Sequence, residues 1–269
     1  MIVDPDAVAA AIAEIAEDEI LSRYGALAAN DIRTKSSPQD FVTEADVAAE
    51  NALRAALSDF LPDAGFVGEE SAAADPDILR ILGGKGRVWV VDPLDGTKNF
   101  IQQRDQFGTI VALVENGVTI MGWIYAIPER KCAVALKNGG TFWGGERIVR
   151  HSSIDKGIAG YRAIGALDTE WERRLRPQLN AHFETRAGRC SAYIYIELGR
   201  GLAPFAIYGL AHPWDHAAGA LLLSETGGNV AYLDTGEIYS PFSTTGRPLL
   251  AAATADIYSS VSETLLRNP

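Results

Sequence analysis

The chain has 269 residues, 47% of them hydrophobic, enough to bury a large core in one domain or two. Its formal charge of −11, from 24 basic against 35 acidic residues, argues against a nucleic-acid polymer or an anionic membrane as the main partner, yet leaves room for a small anionic substrate held through cations on the carboxylates. Cys132 and Cys190 are too few for a disulfide framework or a thiolate metal site and read as small buried hydrophobes; no run reaches the roughly 18 apolar residues of a membrane span, and the acidic start lacks the basic flank of a signal peptide, so the cytoplasm is expected.

Residues 6–28 place Val8, Ile12, Ile15, Ile20, Leu21, Tyr24 and Leu27 at helical spacing behind Asp4-Pro5-Asp6, which predicts a first amphipathic helix. After a loop, residues 46–60 predict a second helix that opens at Asp46 and ends before Pro62. Phe66-Val67 is a short apolar run stopped by Gly68, with Glu69 and Glu70 just beyond it; residues 78–82 suggest a brief helix closed by Gly83-Gly84. From Val88 the period becomes that of strands, with turn signals at Asn116-Gly117, Pro128, Asn138-Gly139-Gly140 and Gly144-Gly145, an antiparallel meander. Beyond residue 150 the pattern predicts a helix over 168–180 and strands over 193–196 and 204–208. Another helix begins at Pro213 and is stopped by Gly227-Gly228, and a last one spans 257–266. The simplest organisation is an α+β part over 1–145 and an α/β part over 146–269.

The stretch RVWVVDPLDGTKNF, residues 87–100, carries the strongest chemical signal. Residues 88–91 predict a buried strand with Asp92 the first residue past it; Pro93 sets a turn and Gly96 permits a backbone that a side chain would block, so Asp92 and Asp95 can converge. Two converging carboxylates repel unless they share a proton or a cation, and hard oxygen ligands suit magnesium. The same residue types also make a plain solvated turn. Glu69 and Glu70 would be ordinary surface but for their place after an apolar run and a glycine hinge. Asp46 is either a helix cap or the acceptor for a hydroxyl, such as that of Thr97, that orients a water. His212 and His216 are four apart, a spacing zinc sites use, but Pro213 leaves His212 outside the helix. Asp215 has the better claim, as an anion stabilised near a helix N-terminus and aimed by the burial of Leu221, Leu222 and Leu223.

Four segments in this order resemble the inositol monophosphatase family, within the lithium-sensitive, magnesium-dependent phosphatases. They are Lys35-Ser36-Ser37-Pro38 with Asp40-Phe41-Val42-Thr43 and Asp46; Gly68-Glu69-Glu70-Ser71; Asp92-Pro93-Leu94-Asp95-Gly96-Thr97; and Trp214-Asp215-His216-Ala217-Ala218-Gly219 followed by Glu225-Thr226-Gly227-Gly228. The likeness spans nearly the whole chain and implies a layered α-β-α-β-α sandwich of the inositol monophosphatase and fructose bisphosphatase type, in the α+β class, commonly a homodimer. It implies that Glu69, Asp92 and the Leu94 carbonyl hold one magnesium and Asp92, Asp95 and Asp215 a second, with a third, weaker ion leaning on Glu69 near Glu70. Thr97 and Asp46 would orient the attacking water beside Glu69, the Gly96 and Thr97 amides would bind phosphate, and Asp95 and Asp215 would also face the substrate. The reaction implied is hydrolysis of a small phosphomonoester.

The chain departs from the family pattern where a Gly-Ser/Thr-Ala element approaches the substrate. Here it reads Arg189-Cys190-Ser191-Ala192, and Tyr208 stands where the family has a glutamate that binds inositol hydroxyls. Both changes point away from inositol and toward a substrate with an aromatic ring or a second anionic group; both also fit a local ion pair for Arg189 and a core place for Tyr208. Inositol phosphate, histidinol phosphate, fructose bisphosphate and a nucleotide 3'-phosphate all stay in play. A haloacid-dehalogenase-type phosphatase is a rival in which Asp92 would be a covalent nucleophile, though the aspartates here are three apart and not two. A binding or regulatory module without activity is another; against it, every implied metal ligand and both water-orienting residues are present.

Overall fold

The computed structural model describes residues 2–26, 32–34, 41–149, 159–164, 169–242 and 247–266. The motif residues Lys35, Ser36, Ser37, Pro38 and Asp40 lie outside the described residues.

The chain opens with α1 (Pro5–Ile15), which runs on through a π segment and a 3-10 turn to Arg23, short of the predicted end at residue 28; residues 27 and 28 lie outside the described residues. A two-stranded ladder of β1 (Ile32–Thr34) and β2 (Phe41–Thr43) leads into α2 (Glu44–Phe60). Then come β3 (Gly65–Gly68), α3 (Glu69–Ala74), a 3-10 stretch over Pro76–Gly83, β4 (Arg87–Asp95) and the short α4 (Thr97–Ile101). The meander follows as β5 (Gly108–Glu115), β6 (Val118–Ala126), β7 (Lys131–Leu136), β8 (Gly140–Trp143) and β9 (Glu146–Arg147). Its first hairpin turns through Asn116 and Gly117, both at positive φ, which is why that dipeptide stands there. The later part holds β10 (Gly160–Ala163), α5 (Thr169–His182), β11 (Thr185–Ala187), α6 (Ser191–Gly199), β12 (Phe205–Tyr208), α7 (Pro213–Glu225), β13 (Asn229–Tyr232), β14 (Leu249–Ala252) and α8 (Ala255–Leu266).

Two sheets form the frame. One runs β3-β4-β5-β6-β7-β8-β9, antiparallel except for the parallel β3-β4 pair; the other runs β11-β10-β12-β14-β13 and is mixed. Three apolar clusters separate five layers. Val8, Ile12, Leu53 and Leu57 of α1 and α2 pack with Trp89 and Trp123 on one face of the larger sheet. Val90, Ile110 and Ile124 on its other face pack with α6 and α7, which also meet Tyr208, Tyr232 and Leu249 of the smaller sheet. Leu175 and Leu179 of α5 and Leu265 of α8 cover the far face of that sheet. The order is therefore helix, sheet, helix, sheet, helix.

Two expectations fail here. Residues 193–196, the run Tyr-Ile-Tyr-Ile, lie in α6 and not in a strand. That helix is sandwiched between two sheets, and every residue but Ser191 and Glu197 is buried, so burial overrides the β preference of the sequence and erases the helical period. Likewise β4 does not stop at Val91. It continues to Asp95 with a register shift against β5 between Asp92 and Asp95, and Pro93 is accommodated in that irregularity.

Small residues let α7 sit in the central layer. A Cβ on Gly122 would lie 2.9 Å from the Ala218 Cα, and one on Gly219 would lie 2.1 Å from the Tyr195 ring. Gly219→Ala is expected to destabilise the protein by about 1–3 kcal/mol despite the better helix propensity of alanine, because Tyr195 has no room to retreat. Thermal unfolding followed by circular dichroism checks this; an unchanged midpoint would contradict the tight α6-α7 contact.

Candidate active site

The register shift in β4 shapes the site. The Thr109 hydroxyl of β5 donates to the Pro93 carbonyl at 2.8 Å, and the Leu94 amide donates to Asp92 Oδ1 at 3.1 Å, so the irregular stretch is pinned from both sides. Gly96 then takes a left-handed conformation, φ +86°, and a Cβ there would come within 2.9 Å of the Gln106 carbonyl. This turn releases the chain into α4 with Thr97 at its start.

Asp92, Asp95 and Asp215 each offer one carboxylate oxygen, all within 4.8 Å of one another. The first two come from β4 and the third from the first turn of α7. Burial pushes the Asp92 carboxyl well above the usual carboxylate range, and Glu69, Asp95 and Asp215 add to the shift. Burial likewise raises Asp95, to about 6, against the pull of the Ala192 amide and the Cys190 thiol. That thiol is 3.0 Å from Asp95 Oδ2, the oxygen that also accepts from the Ala192 amide. Glu69 stands at the first position of α3, near enough to bear on both aspartates. Crowded carboxylates that resist ionising together can hold a divalent cation, and carboxylates are among the hard oxygen donors that magnesium prefers.

Around Asp215, His212 occupies the N-cap position of α7 and stacks on Trp214, with ring centroids 4.7 Å apart. His216 is buried; one ring nitrogen is 2.9 Å from the Leu210 carbonyl and the other 2.9 Å from the Tyr195 hydroxyl. A carbonyl only accepts, so Nε2 carries the proton and Nδ1 accepts from Tyr195. Burial lowers His216 to about 3, keeping it neutral, and with both nitrogens engaged it is not a zinc ligand.

Beside the cluster lies the second predicted pair. The Thr97 hydroxyl is 3.1 Å from Asp46 Oδ1 and 3.0 Å from the Leu94 carbonyl. Asp46 does not cap α2, since Thr43 does; Asp46 sits at the third helical position and its Oδ2 accepts from the Thr43 amide at 2.8 Å and the Thr43 hydroxyl at 2.6 Å. Its other oxygen is thereby aimed at Thr97.

The remaining predicted residues are placed differently. Ser191 starts α6 and is half-buried, while Arg189 is exposed with no ion pair among the described residues. Tyr208 is buried, stacked 5.8 Å from Tyr195, and its hydroxyl has no hydrogen-bond partner among the described residues. Burial raises that hydroxyl well above its usual range, with Tyr195, Asp95 and Asp215 contributing, so it lies near the acidic cluster. Two features were not expected from the sequence: the contact of the Cys190 thiol with Asp95, and Glu50, whose carboxylate accepts from the Glu70 and Ser71 amides. Glu50 left one signal, its place four residues after Asp46 on a buried helix face.

A family model described as "Inositol monophosphatase family" matches residues 4–266. The inositol-1-monophosphatase of Bacillus subtilis is 28% identical over 223 residues, 76% of each chain. The histidinol-phosphatase of Mycobacterium tuberculosis is 29% identical over 234 residues, 84% of this chain and 86% of its own. A solved structure of an IMPase/NADP phosphatase complexed with Mg2+ and phosphate superposes with a TM-score of 0.73 at 20% identity, covering 88% of this chain and 86% of that one.

Proposed function

Because this chain belongs to the inositol monophosphatase family, whose members are phosphatases that hydrolyse phosphomonoesters, we propose that it is a magnesium-dependent phosphomonoesterase acting on a small, inositol monophosphate-like metabolite. The observation that carries the reading is the convergence of Asp92, Asp95 and Asp215 within 4.8 Å beside the Thr97–Asp46 hydrogen bond.

In this reading Glu69, Asp92 and the Leu94 carbonyl hold one ion and Asp92, Asp95 and Asp215 a second, with a third, weaker one at Glu69 near Glu70. When bound, the metal supplies Lewis acidity, making water a better nucleophile and neutralising the leaving oxygen. The chain's own part is to place the water. Thr97, whose one proton lies between two acceptors, Asp46 Oδ1 and the Leu94 carbonyl, keeps lone pairs that accept from a water and turn it toward phosphorus. The Gly96 and Thr97 amides would hold the phosphate end of the substrate, Asp95 and Asp215 would face it through the cation they bind, and Arg189, Cys190, Ser191 and Tyr208 would shape the other end. We further propose a division near residue 145, between the part carrying the larger sheet and the part carrying the smaller one, and the homodimer that the resemblance implies.

A second substrate reading is favoured by one feature. Arg189 is an exposed guanidinium without an ion partner among the described residues, beside the Cys190 that touches Asp95, and it suits a substrate with a second anionic group. The test is phosphate release from inositol phosphate, histidinol phosphate, fructose bisphosphate and adenosine bisphosphate, with Mg2+, with EDTA and with added lithium. Release from at least one substrate, lost in EDTA and inhibited by lithium, is expected. Preference for the bisphosphates, lost in Arg189→Ala, would select the second reading. No release from any phosphomonoester would leave a ligand-binding module.

A further inference from the structure

We infer that Glu50 is a positioning residue for Glu69: it holds the start of α3 from outside that helix and so sets where the Glu69 carboxylate stands. The inference rests on the reading of Glu69 as a metal ligand.

A helix start leaves amide groups without partners inside the helix, and a Ser, Thr, Asp or Asn at the capping position usually accepts from one of them. In α3 that position is Gly68, which has no side chain to offer. The acceptor comes from α2 instead. Glu50 Oε2 takes the Glu70 amide at 2.7 Å and Oε1 takes the Ser71 amide at 3.0 Å, with Glu50 only 4% exposed. Gly68 makes room for this, because a Cβ there would lie 2.3 Å from the Glu50 carboxyl carbon, and the three atoms nearest to it all belong to Glu50. The glycine and the glutamate thus form one device, with the cap delivered across space.

Helix spacing links the device to the water-orienting pair. Asp46, Glu50 and Arg54 follow one another at four-residue steps along α2. Asp46 faces Thr97, Glu50 grips α3, and Arg54 stands 3.6 Å from Glu50 while lying 4.0 Å from the Phe66 ring. One rigid helix therefore sets both the partner of Thr97 and the origin of the helix that bears Glu69. A buried carboxylate is costly, and here two charge-assisted amide hydrogen bonds offset the cost.

The test measures Mg2+ binding by calorimetry without substrate, alongside unfolding in EDTA, for Glu50→Ala, Gly68→Ser and the double variant. Each single change is expected to weaken Mg2+ binding by about 10–100-fold: the first leaves the α3 amides without an acceptor, and the second drives a side chain into Glu50. In the double variant the serine enters the space left by Glu50 and caps α3 in the ordinary way, so binding recovers by about tenfold over either single variant. Recovery also separates positioning from charge, since the double variant lacks the Glu50 carboxylate. Lowered unfolding midpoints with wild-type Mg2+ affinity, or no recovery in the double variant, would overturn the inference. Absence of Mg2+ binding in the wild type would instead overturn the metal reading itself and this inference with it.

Discussion

Asp92→Asn is expected to lower phosphate release by about a thousandfold or more at saturating Mg2+, since metal stabilisation of the developing charge is worth several kcal/mol and each 1.4 kcal/mol is about tenfold. Asp92 is the shared member in the proposed arrangement, so losing its charge weakens both ions. The same change is expected to raise the unfolding midpoint of the EDTA-stripped protein. Burial and the charges of Glu69, Asp95 and Asp215 hold the Asp92 carboxyl well above its usual range, so without metal the ionised group opposes folding. An acid whose folded value is raised contributes stability below its unfolded value, and that stability is lost as pH rises through the folded value. For Asp95 the window runs from 3.8 to about 6, and Asp92 extends it upward. The stripped wild type should lose stability across this range, the stripped variant should lose less, and Mg2+ should restore only the wild type. Calorimetric or fluorescence melts at pH 4 to 8 with and without Mg2+ check all three. An active variant, or one that melts lower in EDTA, would sink the proposal.

The conflict between a buried acid and a stable metal-free fold also marks which residues were readable in the chain. Asp92 and Asp95 stand at the end of a buried apolar run and Asp215 in the first turn of a helix whose later residues are apolar, places where burial works against an acid. Such conflicts mark function, and the three do meet. The helix of residues 213–225 and the meander were legible because their stops are local: Pro213, Gly227, Asn116-Gly117. What was not legible depended on distant partners. The run in α6 reads as a strand because both of its faces are covered by sheets, which leaves no polar stripe to reveal the helix. The continuation of β4 through Pro93 needs Thr109 on the next strand. Glu50 acts on backbone amides, which leave no mark in a sequence, so nothing near it names its partner. Tyr208 read equally as core or as substrate contact, and its burial agrees with the first while its neighbours Asp95 and Asp215 keep the second alive.

Thr97→Val is expected to reduce kcat by about 10²–10⁴-fold, the range typical of losing a positioned group that accepts a hydrogen bond from the nucleophile, while Mg2+ binding stays at the wild-type level. Valine keeps the shape of threonine and removes only the hydroxyl that stands 3.1 Å from Asp46 Oδ1 and 3.0 Å from the Leu94 carbonyl. Thr97 is half-buried, so water can take over those two acceptors and folding should be little affected. Thr97→Ser keeps the hydroxyl and should restore most of the rate. Asp46→Asn is a poorer probe, because Oδ2 also accepts from the Thr43 amide and hydroxyl at the start of α2, and an amide group there would loosen the helix as well as Thr97. Steady-state rates for the valine and serine variants, with calorimetric Mg2+ binding as the control, separate a water-placing role from a structural one. A valine variant with wild-type kcat would remove Thr97 from the chemistry. One that loses Mg2+ along with rate would make Thr97 a support for the Leu94 carbonyl, which lies 3.0 Å from its hydroxyl.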